Sequence, residues 1–507
     1  MQRILPNDRE HPLFDAEASR RIEAQETARV PAHTLMRRAG EAVARLAMAI
    51  APHARRVQVA AGPGNNGGDG LEAALQLRRQ GRQVEVALVG DATALPPDAA
   101  DALARAVAAG VCINTAPRLE LDADDIAIDA LLGLGASRAP QGVIADSIRA
   151  LNALACPVLA VDVPSGLHVG TGRPLGDACV VASHTLALLT LKPGLFTGAG
   201  RDHAGAIWFD ALGADVADHV TRTEPSAWLA ACPGLRGPSP RRRHARHKGS
   251  FGDVAVVGGA PGMAGAALLA ARAAHASGAG RVFVQLLQPA EAANSATGVD
   301  PLRPELMFRA HWAASAPEVL ARSTVVCGCG GGEAVRGVLP RLLSLAQRLV
   351  LDADALNAVA TDPMLATLLC ARAARGLGTV LTPHPLEAAR LLGGSTAEVE
   401  ANRRHAAQAL AERFRCVVVL KGSGSIIATP RRAARINATG NAALATGGTG
   451  DVLAGWLGGL WAQAGAGDEP AEVAARAVAE HGAAAEPQPA GPLRASDLIE
   501  ALYRRAQ

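Results

Sequence analysis

Short runs of β-branched residues alternate with longer Ala- and Leu-rich windows along most of this chain, and that alternation leaves few folds open. Residues 57–61, 84–89, 126–130 and 158–163 read as strands, with helical windows at 71–80 and 98–109 between them. Strands separated by helices pair in parallel through right-handed crossovers, so the pattern predicts an α/β fold. A helical preamble occupies 16–50, broken at Pro31. A second series of strands follows at 254–258, 281–286, 324–327, 348–351, 379–381 and 416–420, with a helical window at 264–277. No fixed-period repeat links the two series. Between them, Pro225, Pro233, Pro238 and Pro240 precede a basic run from Arg241 to Lys248, a composition typical of a domain connection. The expected domains are 1–224 and 225–507, each long enough for its own core.

Composition removes several classes of function. The 50 basic and 47 acidic residues leave a formal charge of +3, and aromatics make up only 3%. Neither a global positive field nor a stacking platform for nucleic acid is present. The 8 cysteines form no paired C-x-x-C spacing, which fits reduced thiols in a cytosolic protein. Cys327 and Cys329 have no partner pair nearby, so a metal site is not expected there. The opening residues mix Arg, Asn, Asp, Glu and Pro and show no targeting pattern. The most apolar windows, 178–191 and 442–466, are interrupted by polar residues and glycines, so no membrane span is expected. The expectation is a cytoplasmic homo-oligomer acting on a small molecule.

Three segments carry chemistry in the first half. The run Gly62-Pro63-Gly64-Asn65-Asn66-Gly67-Gly68-Asp69-Gly70 lies between a strand and a helix, at the sheet edge where phosphates meet helix amino ends. Asp129 and Asp162 fall at strand ends and are followed by Ala130-Leu131-Leu132-Gly133-Leu134-Gly135 and Val163-Pro164-Ser165-Gly166. Strand ends of a parallel sheet share one edge, so Asn66, Asp129 and Ser165 are expected to converge as oxygen ligands for a hard cation. Asp162, near Pro164, is a candidate acid/base on the bound ligand; each Asp taken alone reads equally as a turn or cap residue, and their joint occurrence carries the functional reading.

These segments resemble the epimerase half of the bifunctional NAD(P)H-hydrate repair enzymes. The resemblance implies a Rossmann-like domain that interconverts the R and S forms of NADH and NADPH hydrated at C6. It implies that Asn65, Asn66, Gly67, Gly68 and Asp69 bind the hydrated dinucleotide. It also implies that Gly133, Leu134, Gly135, Ala136, Ser137, Arg138 and Ala139 line the substrate, and that Asp162 contacts it as the acid/base residue. Asn66, Asp129 and Ser165 would ligate K+. The family's usual Leu-Phe-Gly-Thr-Gly reads here with Leu132 and Leu134 in place of Phe and Thr.

In the second half one carboxylate, Asp451, sits inside the glycine run Gly447-Gly448-Thr449-Gly450 at a helix start. Converging backbone N–H groups and the helix dipole favour an anion there. Upstream, Lys421 ends an apolar strand and is followed by Gly422-Ser423-Gly424-Ser425, as a phosphate loop requires. His384 lies between Pro383 and Pro385, which restrict its backbone. With Asp352-Ala353-Asp354 and the Gly262 to Ala266 segment, this set resembles the ADP-dependent NAD(P)H-hydrate dehydratases, of ribokinase-like fold. The resemblance implies that Ala266, Gly330, His384 and Asp451 contact the hydrated cofactor. Lys421, Gly422, Ser423, Gly424, Ser425 and Gly450 would contact ADP, with Mg2+ assisting and Asp451 catalytic. The family's Gly-Pro-Gly-Leu-Gly appears here as Gly328-Cys329-Gly330-Gly331-Gly332, and its Gly before the Glu of the His motif is Leu386. A small-molecule kinase fused to a nucleotide-binding module is the alternative, because ribokinase-like folds mostly transfer phosphoryl groups.

Overall fold

The computed structural model describes residues 1–5, 9–116, 120–231, 244–288, 299–465, 467–487 and 491–507. Cys232, the prolines at 233, 238 and 240, and Arg241 to Arg243 of the basic run lie outside the described residues. The chain forms two compact units, with His11–Leu229 in the first and Ala230–Gln507 in the second.

The first unit is built on an 8-stranded sheet in the order β1-β9-β8-β7-β6-β3-β4-β5. Its strands are β1 (Gln2–Arg3), β3 (Arg56–Ala61), β4 (Gln83–Leu88), β5 (Cys112–Asn114), β6 (Ile126–Ala130), β7 (Val158–Val161), β8 (His184–Leu188) and β9 (Ala206–Asp210). All pairs are parallel except β1 with β9. Outside this 8-stranded sheet, β2 (His11–Leu13) pairs antiparallel with β10 (Ala227–Leu229). The chain runs outward from β3 through β4 to β5, then returns to start β6 on the other side of β3. Ligands bind at such a switch point, and here the loops after β3 and β6 open side by side. The helical preamble is two helices, Ala16–Thr27 and Thr34–Ile50. Helix Thr34–Ile50 turns Ala39, Val43, Leu46 and Ala47 into the core, the spacing of one helical face.

The helix after β3 begins earlier than its sequence suggests. It spans Asn65–Arg79, not 71–80, so Gly67, Gly68 and Gly70 are helical and not part of a loop. Glycine weakens a helix, but here its missing side chain is what permits the packing. A Cβ on Gly67 would lie 2.0 Å from the Gly62 carbonyl oxygen, and one on Gly70 2.6 Å from the Ala130 Cβ.

The second unit carries β11 (Asp253–Gly258), β12 (Arg281–Leu286), β13 (Met307–Phe308), β14 (Ser323–Cys327), β15 (Arg348–Leu351), β16 (Gly378–Leu381) and β17 (Val417–Leu420). Two further strands, β18 (Ile426–Ala428) and β19 (Arg435–Ile436), form an antiparallel extension. The order is β13-β12-β11-β14-β15-β16-β17-β18-β19, again with a switch point, between β11 and β14. Between Asp451 and Gln463, helix Thr449–Gln463 is apolar all round and buries Trp456 and Trp461. It crosses helix Ala264–Ala276 so closely that a Cβ on Gly455 would sit 1.9 Å from the Ala270 oxygen. That contact fixes the start of the helix, and with it Asp451, against the sheet edge.

Among the described residues, no helix is long and apolar enough to cross a membrane.

Candidate functional sites

At the first unit's switch point lies a cavity of about 470 Å³. It is lined by Asn65, Asn66 and Asp69 from the helix after β3, by Gly133, Leu134, Gly135 and Ala136 after β6, by Asp162 after β7, and by Glu23 and Asp98. Gly67 and Gly68 support the helix without lining the cavity, and Ser137, Arg138 and Ala139 lie beyond its lining.

Of the three expected cation ligands, Asp129 and Ser165 bond to each other, and Asn66, in the cavity lining, reaches them through Leu132. Asp129 is fully buried, and its carboxylate accepts from the Ser165 hydroxyl at 2.6 Å and the Ser165 amide at 2.8 Å. The Asn66 side-chain amide donates to the Leu132 carbonyl at 3.0 Å, and the Leu132 amide donates to Ser165 Oγ at 2.8 Å. Burial pushes the Asp129 carboxyl up to about 6, against the lowering pull of its Ser165 hydrogen bonds.

Asp162 is buried and holds φ 66°, the left-handed region that β-carbon residues rarely occupy. That conformation turns its carboxylate back over β8, where the Leu188 amide donates to it at 3.0 Å and Lys192 pairs with it. Lys192 is itself only 1% exposed, and its ammonium also donates to the Leu188 and Thr190 carbonyls, each at 2.9 Å. An Asp in a strained conformation, locked to a buried cation beside a cavity, marks a functional site more often than a structural one. Sequence reading missed Lys192. Its one signal was a lone charge between Leu191 and Pro193 at the end of an apolar window.

Asp69 has the opposite surroundings. Burial and the nearby negative charges of Asp162 and Glu23 raise its carboxyl well above the usual range. Glu23, also missed, is raised by burial and by Asp162.

In the second unit a different cluster forms. Lys421, directly after β17, donates to Asp352 at 2.6 Å, and Asp352 also accepts from the Thr382 hydroxyl at 2.8 Å. The ligand atoms of Asp352, Asp451 and Cys329 all lie within 4.8 Å of one another. Burial raises Asp451 to about 6, with Asp352 adding to the rise and Cys329 and Lys421 opposing it. Burial, Asp451 and Asp352 hold the Cys329 thiol well above its ordinary value.

The glycines around this cluster form a cradle. A Cβ on Gly450 would sit 3.3 Å from Lys421 Nζ, so the helix start and the lysine share one space that a larger residue would fill. Gly422 and Gly424 hold φ 134° and 62°, a backbone adopted at little strain only without a side chain. The buried His481 donates from Nε2 to the Thr449 carbonyl at 2.9 Å and steadies this helix start. Ala266 and Gly330 meet at the β11/β14 switch, where a Cβ on Gly330 would lie 2.9 Å from the Ala266 Cβ. His384 is occupied as the cap of helix Pro385–Leu392: its Nδ1 accepts from the Leu386 amide at 3.1 Å, and its Nε2 lies 3.1 Å from Glu387. Its ring is 46% exposed, so one edge remains open to a ligand.

Two α/β units, each with a glycine-built cup at a sheet edge and a lysine-paired carboxylate, define an enzyme with two centres for nucleotide-type small molecules. Residues 254–504 match the family model for NAD(P)H-hydrate dehydratase, and residues 32–194 match that for the YjeF-related protein N-terminus. The bifunctional NAD(P)H-hydrate repair enzyme Nnr of Escherichia coli is 36% identical, over 97% of this chain and 94% of that protein. That of Coxiella burnetii is 38% identical, over 85% and 86% respectively. A solved structure of the ADP/ATP-dependent NAD(P)H-hydrate dehydratase from Bacillus subtilis, co-crystallised with ATP/Mg2+, is 32% identical and covers 54% of this chain and 94% of that one, with a TM-score of 0.45. The chain belongs to the family of bifunctional NAD(P)H-hydrate repair enzymes.

Proposed function

We propose that the domain expected at 1–224, which lies almost wholly within the first unit, equilibrates the C6 epimers of hydrated NADH and NADPH, and that the domain expected at 225–507 dehydrates the S form with ADP. The observation carrying this reading is the pairing of two cups, each with one lysine-bound carboxylate and one carboxyl of raised pKa, in a chain of this family.

In the first cup, Asn65, Asn66, Asp69 and the Gly133 to Ala136 segment surround the hydrated nicotinamide, with Asp162 in contact with the ring. K+ suits the oxygens of Asn66, Asp129 and Ser165, because a buried carboxyl raised to about 6 gains from a neighbouring cation. In the second cup, Asp451, ionised above about pH 6, accepts the C5 proton while the C6–O bond breaks and the C5=C6 bond forms. Ala266, Gly330 and the open edge of His384 hold the hydrated ring. The Gly450 cradle, Lys421 and the Gly422 to Ser425 turn fit an adenine nucleotide, which with Mg2+ supplies charge that polarises the departing hydroxyl. Free thiols among the described residues suit a reducing, cytoplasmic setting.

The test is recovery of NADH absorbance from an epimer mixture of hydrated NADH with ADP and Mg2+. Full recovery requires both centres. Recovery that stops at the S fraction removes the epimerase reading, and none at all removes both. Phosphorylation of a small substrate by ATP would favour a kinase.

A further inference from the structure

We propose that Asp69 is the general acid of the first centre, working across the cavity from the Asp162–Lys192 pair, and that epimerisation proceeds by acid-assisted departure of the C6 hydroxyl. The inference rests on the epimerase reading of the first unit.

The cavity has to supply a proton to a poor leaving group, and the hydrogen bonds decide which side chain can do it. Lys192 cannot, because its three donor positions serve Asp162, Leu188 and Thr190 and the residue is itself only 1% exposed. Asp162 is equally committed, accepting from Lys192 and the Leu188 amide. Asp69 differs. Among the described residues its carboxyl has no hydrogen-bond partner, yet it lines the same cavity. Its backbone is fixed, since the glycines on either side set its helix against Met36 and Ala130, at 2.5 Å and 2.6 Å from the Cβ positions they lack.

Burial most of all favours the protonated form of Asp69; of the charged groups facing it, Asp162, Glu23 and Asp98 add to that and Lys192 opposes it. Asp162 is ion-paired with Lys192 while Asp69 has no cation bonded to it, so Asp69 is the carboxyl of this cavity placed to carry a proton.

The step balances without an oxidant or co-reactant. The Asp69 proton passes to the C6 oxygen, the C6–O bond breaks, and its electron pair leaves with water. The lone pair of the ring nitrogen forms the N1=C6 bond, and the resulting cation faces the Asp162 carboxylate. Water then adds to the other face of C6, and the proton it sheds returns to Asp69 through cavity water. A volume of about 470 Å³ leaves room for that exchange.

The experiment starts from one epimer of hydrated NADPH carrying 18O at C6 and follows both epimer ratio and label by chromatography and mass spectrometry. The full-length chain is expected to lose label in step with epimerisation, with a rate that falls as pH rises and the acid is consumed. Asp69→Asn should lower kcat by about 10²–10⁴-fold while substrate affinity stays within about threefold. Asp69→Glu should restore part of the rate together with its alkaline decline. Retained affinity of the variant for the hydrated cofactor at the first centre, with an unchanged melting transition of the intact chain, reports that the first unit is folded. Retention of label, an Asp69→Asn rate close to that of the unaltered chain, or transfer of the loss to Glu23→Gln overturns the proposal. An unaltered chain that interconverts no epimers at all overturns the epimerase reading itself.

Discussion

The two centres share a plan and differ in where it leaves its titrating carboxyl. Each has an Asp at a strand end, Asp162 after β7 and Asp352 after β15, held by a lysine from further along the chain. Each has a second Asp near a helix start, Asp69 and Asp451, whose carboxyl is pushed upward. In the first unit the lysine is 1% exposed and spends its remaining donors on backbone carbonyls; in the second it is 17% exposed and shares its space with the glycine cradle. The comparison teaches that a lysine fixes the carboxylate it touches and thereby selects the neighbouring one to move protons. Lys192 is wholly internal, whereas Lys421 keeps a face for a ligand.

The largest expected effect tests the titrating members. Asp451→Asn should reduce dehydratase kcat by about 10²–10⁴-fold, the usual range for a positioned proton-transfer group. Steady-state turnover of S-hydrated NADH with ADP measures it. Asp352→Asn should instead disturb nucleotide dependence through Lys421. If Asp451→Asn keeps its rate, the shared plan fails.

Removing the lysines comes next. Lys192→Met leaves the buried Asp162 without its cation and should destabilise the first unit by about 3–5 kcal/mol. Thermal or urea unfolding of the intact chain reports it, and the double variant with Asp162→Asn should regain most of the loss. Lys421→Met should lose less, because Asp352 keeps the Thr382 hydroxyl at 2.8 Å and the lysine is partly exposed. Equal losses would remove the distinction between an internal and a ligand-facing lysine.

The pH profile sharpens the same point. Asp451 is raised to about 6, and as a base it must be ionised, so kcat/KM for dehydration should rise as pH passes about 6 from below. Lys421→Met removes a charge that lowers this carboxyl and should move the rise to higher pH. A profile that falls through the same range would assign Asp451 the acid role instead.

How much of this was legible in the sequence depended on the distance over which each feature is encoded. The β-branched runs located the strands that form both switch points because a parallel strand buried on both faces reads as a nearly continuous apolar run, a local property that Gln58 or Glu85 alone does not hide. The β8 strand was not read, since residues 178–191 were weighed only as a possible membrane span and His184 and Thr185 dilute the run. The start of helix Asn65–Arg79 was misplaced because glycine propensity argues locally for a loop, while the contacts with Gly62 and Ala130 that favour the helix are tertiary. Lys192 lies 30 residues from Asp162, and only the adjacency of β7 and β8 joins them. Glu23 sits on a helix remote in sequence from every glycine run, and nothing local distinguishes it from a solvated residue.

The smallest expected effect concerns the cation site, and it tells the first cup from the second. The folded-state carboxyl of Asp129 is raised from 3.8 to about 6, so the folded chain binds more protons than the unfolded one between those values. The sign follows from linkage: this group's contribution to stability declines as pH rises from about 4 to 6 and stays reduced above. A monovalent cation beside the carboxylate offsets that loss only where the group is ionised. At ten times its dissociation constant K+ should therefore add about 1.4 kcal/mol above pH 7, or about 3–6 °C of melting temperature for a unit of this size, and almost nothing at pH 5. Replacing K+ by a bulky organic cation in a melting series at the two pH values measures the effect, and Asp129→Asn should abolish it. A K+ response equal at both pH values, or one that survives Asp129→Asn, would place the cation elsewhere and leave Asp129 as a hydrogen-bond acceptor for Ser165.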